Sequence, residues 1–210
     1  MIEVIIPALN EAHSIDHIVR ACLHAPSVYL VHVAVDDRTT DNTADVAYEA
    51  GALVHRHPGI IGKGQLIKAT IPETATARIM LCDADYTRFS PHIAEMATAI
   101  HHPYDVMRIM VPKRPTPKEW DNGGAPFPFY REAWGMNSGL RSFPRTLAED
   151  LDLHGYLVET QLNQAAQERG VVIDQIYETA FVQPLRFTER RLEAMVADRR
   201  WGIANGVLHA

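Results

Sequence analysis

Two carboxylates two residues apart, Asp83 and Asp85, close the apolar run Arg78-Ile79-Met80-Leu81-Cys82. The run has the length and composition of a buried strand, so both acids fall where a strand opens into a loop. An ionised carboxylate taken out of water needs a compensating partner. A divalent cation is one such partner, and Asp-x-Asp offers it two hard oxygen ligands. The competing reading has Asp83 capping a turn and Asp85 facing water. Other chemistry-bearing residues also follow apolar runs. Glu11 comes after Ile2–Ile6, Asp36 and Asp37 end Val31–Val35, and Lys63 sits between Gly62 and Gly64. Those glycines would let the backbone approach a ligand closely. They do not form a P-loop, because the Gly-x-x-x-x-Gly-Lys-Ser/Thr spacing is missing.

The elements that must position these residues alternate. Ile2–Ile6 reads as a strand, and 14–23 as a helix with Ser14 at its N-cap and Ile15, Ile18, Val19 and Cys22 inward. Strand 31–35 is followed by a helix starting at Thr40–Thr43 and stopping at Gly51. Strand 52–55, a loop over 57–64 and a helix over 65–70 lead to the strand that ends in Asp83. Ser90-Pro91 signals a helix to about Ile100, and 104–111 another strand. A Pro- and Gly-rich segment runs from Pro112 to Pro128, and Asn137-Ser138-Gly139 is a turn signal. Residues 143–153 read as short helix and loop, and 155–169 as an amphipathic helix with Leu157, Val158, Leu162, Ala165 and Ala166 inward. Strands at 171–173 and 176–182 and a helix from Thr188 to Ala204 complete the chain. This is the pattern of an α/β fold with a mostly parallel sheet flanked by helices, in a single domain. In such sheets ligands gather at the carboxyl ends of the strands. Glu11, Asp36, Asp37, Lys63, Asp83 and Asp85 all fall there.

Composition narrows the classes of function. The 210 residues carry a formal charge of −6 and no long basic run, which disfavours nucleic acid as a partner. Cys22 and Cys82 are the only cysteines, and both read as core residues in a reducing compartment. No apolar run approaches the ~20 residues that span a bilayer, and no signal peptide precedes Ile2. A cytoplasmic protein is the expectation. Leu192, Met195, Val196 and Trp201 on the last helix would dock on the domain or on a second copy in a homodimer.

Four motifs, in order, resemble family 2 glycosyltransferases of GT-A fold. They are Ile5-Ile6-Pro7-Ala8-Leu9-Asn10-Glu11, Val35-Asp36-Asp37-Arg38-Thr39-Thr40-Asp41-Asn42-Thr43, Gly62-Lys63-Gly64 and Asp83-Ala84-Asp85. The resemblance covers about residues 2–111. Gly155-Tyr156-Leu157-Val158-Glu159 is similar to a segment of glucosyl-3-phosphoglycerate and mannosylglycerate synthases. That group places a metal-binding histidine just before a C-terminal Pro-Leu pair. Here Pro184-Leu185 follows Ala180-Phe181-Val182-Gln183, so His154 or no third protein ligand would complete the shell.

The resemblance implies a metal-dependent transferase that moves a sugar from a UDP- or GDP-sugar to an acceptor hydroxyl. It implies Mg²⁺ or Mn²⁺ held by Asp83 and Asp85, where the metal acts as a Lewis acid on the departing diphosphate. Pro7, Ala8, Leu9, Glu11, Asp36, Asp37, Lys63 and Asp83 would hold the donor, with Asp36 or Asp37 accepting from a ring N–H of the base. Residues 1–111 would be the nucleotide-sugar-binding half, and 112–210 the acceptor-binding half with the C-terminal helix. Arg114, Gly139 and Tyr156 would meet an acceptor that is a small molecule, a glycan or a protein. Two carboxylates compete for the catalytic role. Asp150, in Leu147–Leu153, matches the base of inverting members, and Glu159 matches the retaining synthases. A nucleotide-sugar-binding protein without transferase activity is the alternative. A sugar nucleotidyltransferase is disfavoured, since no Gly-rich loop follows the first strand.

Overall fold

The first strand sets the frame. In the computed structural model, which describes residues 1–99, 106–114, 136–178, 180–182 and 189–207, β1 (Ile2–Ala8) is an interior strand of a seven-stranded sheet of order β3-β2-β1-β4-β6-β5-β7. Val4, Ile5 and Ile6 are all fully buried, as expected for a strand covered on both faces. β2 (Val28–Val35) and β4 (Arg78–Leu81) flank β1 in parallel, and β3 (Leu53–Arg56) lies parallel beyond β2. β5 (Val106–Val111) and β7 (Val172–Tyr177) form a second parallel pair. β6 (Arg141–Pro144) joins the two sets and is antiparallel to both β4 and β5.

Helices cover both faces. α1 (Ile15–Leu23), α2 (Thr43–Glu49) and α4 (Pro91–Thr98) bury Ile18, Ala47 and Ile93 with Val4, Ile6 and Val33. On the opposite face α3 (Lys63–Thr70) and α5 (Val158–Glu168) bury Ile67, Val158 and Leu162 with Ile5, Ile79 and Phe143. The inward residues expected on the first and fifth helices are buried as read. α6 (Glu189–Ala204) follows at the C-terminal end.

Three expectations were displaced. β6 falls where a turn and a short helix were read; its four residues are all buried and include Arg141, so no alternation marks it as a strand. The two strands expected near the C-terminus are one, β7, with Val182 making only an isolated bridge to Thr87. Ser14 sits at the N-cap of α1, but its hydroxyl donates to Glu11 Oε2 at 3.1 Å and caps no helix N–H. Ser90 does cap α4, accepting from the Ile93 N–H at 3.4 Å. Most of the Pro-rich segment, Pro184-Leu185 and Thr188 lie outside the described residues. Among those described, no helix is long and apolar enough to cross a membrane.

Candidate active site

The strand order reverses at β1. The chain steps outward through β2 to β3, then returns to place β4 on the other side of β1. Carboxyl ends of strands at such a switch point form a ready-made crevice. The loops after β1 and β2 are stitched together there. Asn10 adopts φ 56, a left-handed conformation that asparagine tolerates well, and its Oδ1 accepts the Thr40 N–H at 2.8 Å. Asp41 Oδ2 accepts the Ala12 N–H at 3.2 Å, and the Glu11 N–H donates to Thr43 Oγ1 at 2.8 Å. Pro7 and Ala8 end β1, and Leu9 is exposed just beyond them.

Asp36 and Asp37 have different surroundings. The Asp36 side chain is wholly buried and engaged by Arg38, whose backbone N–H and Nε each donate at 2.9 Å and whose Nη2 forms a further ion pair. The Gly62 N–H adds a contact at 3.4 Å. Burial opposes ionisation of Asp36, but the hydrogen bonds and charge of Arg38 outweigh it and hold the carboxyl below its ordinary range. Asp37 is exposed and accepts the Gly59 N–H at 2.9 Å. Together the two acids fasten the 57–62 loop beside the crevice, and Asp37 is the one that faces solvent.

Behind β4, Asp83 meets Lys63. Lys63 Nζ donates to Asp83 Oδ1 at 2.6 Å and to Glu159 Oε1 at 2.6 Å. Residues 20 and 96 positions from Lys63 thus share one ammonium. Burial alone would lower the Lys63 pKa; the charges of Asp83 and Glu159 outweigh it and raise it well above its ordinary value. Asp85 follows on the same loop, partly buried. Gly139 closes the other side: a Cβ there would lie 2.2 Å from Asp83 Oδ2 and 2.4 Å from its Cγ. The absence of a side chain at Gly139 makes room for the Asp83 carboxylate.

Several site features escaped the sequence reading. Arg141 is fully buried, and its guanidinium donates to Ser138 O, Met136 O, Glu159 O and Asn163 Oδ1, at 3.0 Å or 2.5 Å, 3.0 Å, 3.3 Å and 2.9 Å. Burial depresses its pKa from the ordinary arginine value. It ties the Gly139 loop to the first turns of α5, and no motif announces it. Gly64 serves a different purpose from the one expected. A Cβ there would lie 2.5 Å from the His154 N atom, so this glycine lets α3 pack against the 154–155 backbone. His154, considered as a metal ligand, has both ring nitrogens engaged: Nδ1 by Gln65 at 3.0 Å and Nε2 by Asp198 at 3.3 Å.

Asp150 is not brought to this cluster. It is exposed and pairs with Arg169 at 2.8 Å and 3.0 Å, at the C-terminal end of α5. Glu159 lies in the first turn of the same 11-residue helix, so about 15 Å of helix at ~1.5 Å per residue separates the two ends. Arg114 is exposed beyond the end of β5. The Tyr156 N–H donates to Asp198 Oδ2 at 2.8 Å, and the residue lies in the turn before α5. Among the described residues, no group of three or more His, Cys, Asp or Glu side chains is arranged to hold a metal ion.

A mostly parallel α/β sheet with an acidic pair behind β4 and a lysine-bridged cluster at its switch point defines a protein of the GT-A class. Residues 3–143 match the model of glycosyl transferase family 2. The chain belongs to that family and is an enzyme of the glycosyltransferase class. Protein RfbJ of Shigella flexneri is 32% identical over 98 residues, which is 45% of this chain and 72% of that protein. Among solved structures, glucosyl-3-phosphoglycerate synthase from Mycobacterium tuberculosis with Mn²⁺, UDP and glucosyl-3-phosphoglycerate is similar with a TM-score of 0.75. Sequence identity is 20%, over 94% of this chain and 76% of that one. Its complex with Mn²⁺ and UDP-glucose gives 0.75 at 19% identity, over 95% and 76%. A mycobacterial protein gives 0.69 at 20% identity, and this chain spans 65% of its length.

Proposed function

We propose that this chain transfers a sugar from a UDP- or GDP-sugar to an acceptor hydroxyl, with the donor diphosphate and a divalent cation at Asp83 and Asp85. The observation that carries the reading is the shared Lys63 ammonium, which fixes Asp83 from the first half of the chain and Glu159 from the second. The cluster lies at the switch point of the sheet, where ligands of such folds bind.

The donor set fits the metal. Asp83 and Asp85 offer two carboxylates on one loop, and Mg²⁺ or Mn²⁺ is commonly bound by one or two carboxylates plus substrate phosphates. Gly139 leaves the space that the Asp83 carboxylate occupies. The bound cation supplies Lewis acidity toward the leaving nucleoside diphosphate. Lys63 orients Asp83 through its 2.6 Å contact, and on this reading it also lies beside the diphosphate. Asp37, exposed next to the 57–62 loop, is the better placed of the two acids to accept from a base N–H. Glu159 is favoured over Asp150 as the carboxylate at the reacting centre, because it shares a cation with Asp83 and Asp150 does not. Pro7, Ala8, Leu9 and Glu11 complete the donor wall. Arg114, Gly139 and Tyr156 remain proposed acceptor contacts.

The division into a donor half over 1–111 and an acceptor half over 112–210 belongs to this proposal in a modified form. Gly139 and Glu159 reach back onto the donor cluster, so the second half contributes to both subsites. The similar mycobacterial structures contain Mn²⁺, UDP-glucose and phosphoglyceric acid, which supports the metal and donor and makes a phosphorylated acid the first acceptor to try. A cytoplasmic location is part of the proposal. The test is release of nucleoside diphosphate from a panel of UDP- and GDP-sugars with Mn²⁺ or Mg²⁺, with and without 3-phosphoglycerate. Acceptor-dependent release that vanishes in Asp85→Ala supports the reading. Donor binding without release under any acceptor points to the non-transferring alternative.

A further inference from the structure

The last helix contributes a polar chain of fixed direction. Asp198 and Trp201 both meet His154. The indole stacks on the imidazole with centroids 3.9 Å apart and planes at 8°. Asp198 Oδ1 lies 3.3 Å from His154 Nε2, and Oδ2 accepts the Tyr156 N–H at 2.8 Å. On the other side of the ring, Gln65 Nε2 lies 3.0 Å from His154 Nδ1, and Gln65 Oε1 accepts the Gly155 N–H at 3.0 Å.

A main-chain N–H can only donate, so the Gly155 N–H orients the Gln65 amide with its oxygen toward Gly155 and its NH₂ toward His154. His154 Nδ1 therefore accepts, and the ring proton sits on Nε2, in ion-pair range of Asp198 Oδ1 at 3.3 Å. Two glycines let the three elements close. A Cβ on Gly155, at φ +45, would lie 2.1 Å from Asp198 Oδ2, and one on Gly64 would strike the 154–155 backbone. Lys63 is two residues before Gln65, and Glu159 three residues after Tyr156. The same junction thus anchors both arms of the ion pair that holds Asp83.

We infer that Asp198, acting through His154 and Gln65, is a positioning residue for Lys63 and Glu159, and that the last helix is part of the donor site. The inference rests on the donor reading of the Asp83 cluster. Asp198→Asn puts an amide where a carboxylate accepts the Tyr156 N–H and faces His154 Nε2. If the oxygen of that amide takes the Tyr156 N–H, its NH₂ faces His154 Nε2, the ring proton must move to Nδ1, and Nδ1–H then meets the Gln65 NH₂. If the amide flips, its NH₂ meets the Tyr156 N–H. Either way one donor faces another. Adding Gln65→Glu removes the conflict. One oxygen of the introduced carboxylate keeps the Gly155 N–H, the other accepts Nδ1–H, and the amide NH₂ at position 198 donates to Nε2.

The experiment is a four-corner cycle of wild type, Gln65→Glu, Asp198→Asn and the double variant. Affinity for UDP with Mn²⁺ is read by calorimetry, and hydrogen exchange over residues 154–160 by mass spectrometry. Asp198→Asn is expected to weaken UDP about tenfold, the scale of one frustrated buried hydrogen bond, and to speed exchange at Gly155 and Tyr156. The double variant is expected to recover both. Wild-type affinity and exchange in Asp198→Asn, or a double variant no better than Asp198→Asn, overturns the inference. If Asp198→Asn fails to fold, a double variant that folds and binds supports it, and one that also fails overturns it. A wild type that binds no UDP with Mn²⁺ defeats the donor reading and the positioning role with it, while the exchange cycle still judges the hydrogen-bond chain itself.

Discussion

Gly139→Ala gives the sharpest single-atom test of how the acidic cluster is packed. The added Cβ would stand 2.2 Å from Asp83 Oδ2, 2.4 Å from Cγ and 2.5 Å from Oδ1. Ordinary contact needs at least 3.4 Å, so the carboxylate must retreat by roughly 1 Å. Its bond to Lys63 is 2.6 Å, and a shift of that size takes it past about 3.5 Å, where a hydrogen bond is lost. A charge-assisted bond of this kind contributes about 1.5–3 kcal/mol. Against that, replacing glycine by alanine stabilises by about 0.4–1 kcal/mol through the unfolded chain. Gly139 is not among the glycines at positive φ, so its backbone accepts alanine without strain. The lost ion pair wins, and the net destabilisation is about 1–2 kcal/mol. The displaced carboxylate should also weaken nucleotide–metal binding by about tenfold, since about 1.4 kcal/mol is one decade. Thermal unfolding and calorimetric titration of UDP with MnCl₂ measure the two effects. Wild-type values for both would refute the packing argument, because the methyl group would then have found room without moving Asp83.

Other outcomes follow from the same geometry. Lys63→Met removes the ammonium shared by Asp83 and Glu159 and should cost about 3 kcal/mol at pH 7, the lower end for breaking a buried pair; an unchanged melting temperature contradicts it. The Lys63 pKa is raised on folding, so its stabilisation is fully present below the unfolded value of about 10.4 and declines only as pH rises from there toward the folded value. Melting curves from pH 7 to 10 should therefore show a constant gap between wild type and Lys63→Met. Asp36 is depressed on folding, so its stabilisation is present above about pH 3.9 and is lost as pH falls through the folded value. Arg38→Ala should move the acid-unfolding midpoint upward, and a midpoint that stays put removes Arg38 as the cause. Glu159→Gln should lose far more transferase activity than Asp150→Asn. The reverse order would place the reacting centre at the other end of α5.

Much of this architecture is legible in the sequence because it depends on local pattern. Apolar runs mark the positions of β1, β2 and β4, the last two ending in acids, and 3.6-residue periodicity marks α1 and α5. The convergence of Glu11, Asp36, Lys63 and Asp83 at one sheet edge needs only the βαβ alternation. What stayed hidden depends on contacts across long separations. β6 is a short strand buried on every side, and its leading arginine bonds to carbonyls, so hydrophobic patterning reads it as turn and helix. Asp150 and Glu159 compete in the sequence because each matches a different branch of the family, and motif similarity does not show that they sit at opposite ends of α5. Gly64 was read as making room for a ligand and makes room for another segment of backbone. Asp198 lies in a helix that was read only for its apolar residues, and its partners Tyr156 and His154 come from a distant turn of the chain. Asn10 could have been found, since asparagine between a strand and a helix is a frequent left-handed residue.

The central claim is that Asp83 and Asp85 hold a cation and a nucleotide-sugar diphosphate. Calorimetric titration of UDP- and GDP-sugars into wild type and Asp85→Ala, with Mn²⁺ and with EDTA, tests it most directly. The account predicts saturable binding of at least one donor by wild type, dependent on Mn²⁺, and its loss in an Asp85→Ala protein that remains folded. No donor binding by wild type with Mn²⁺, or equal binding by Asp85→Ala, would contradict it.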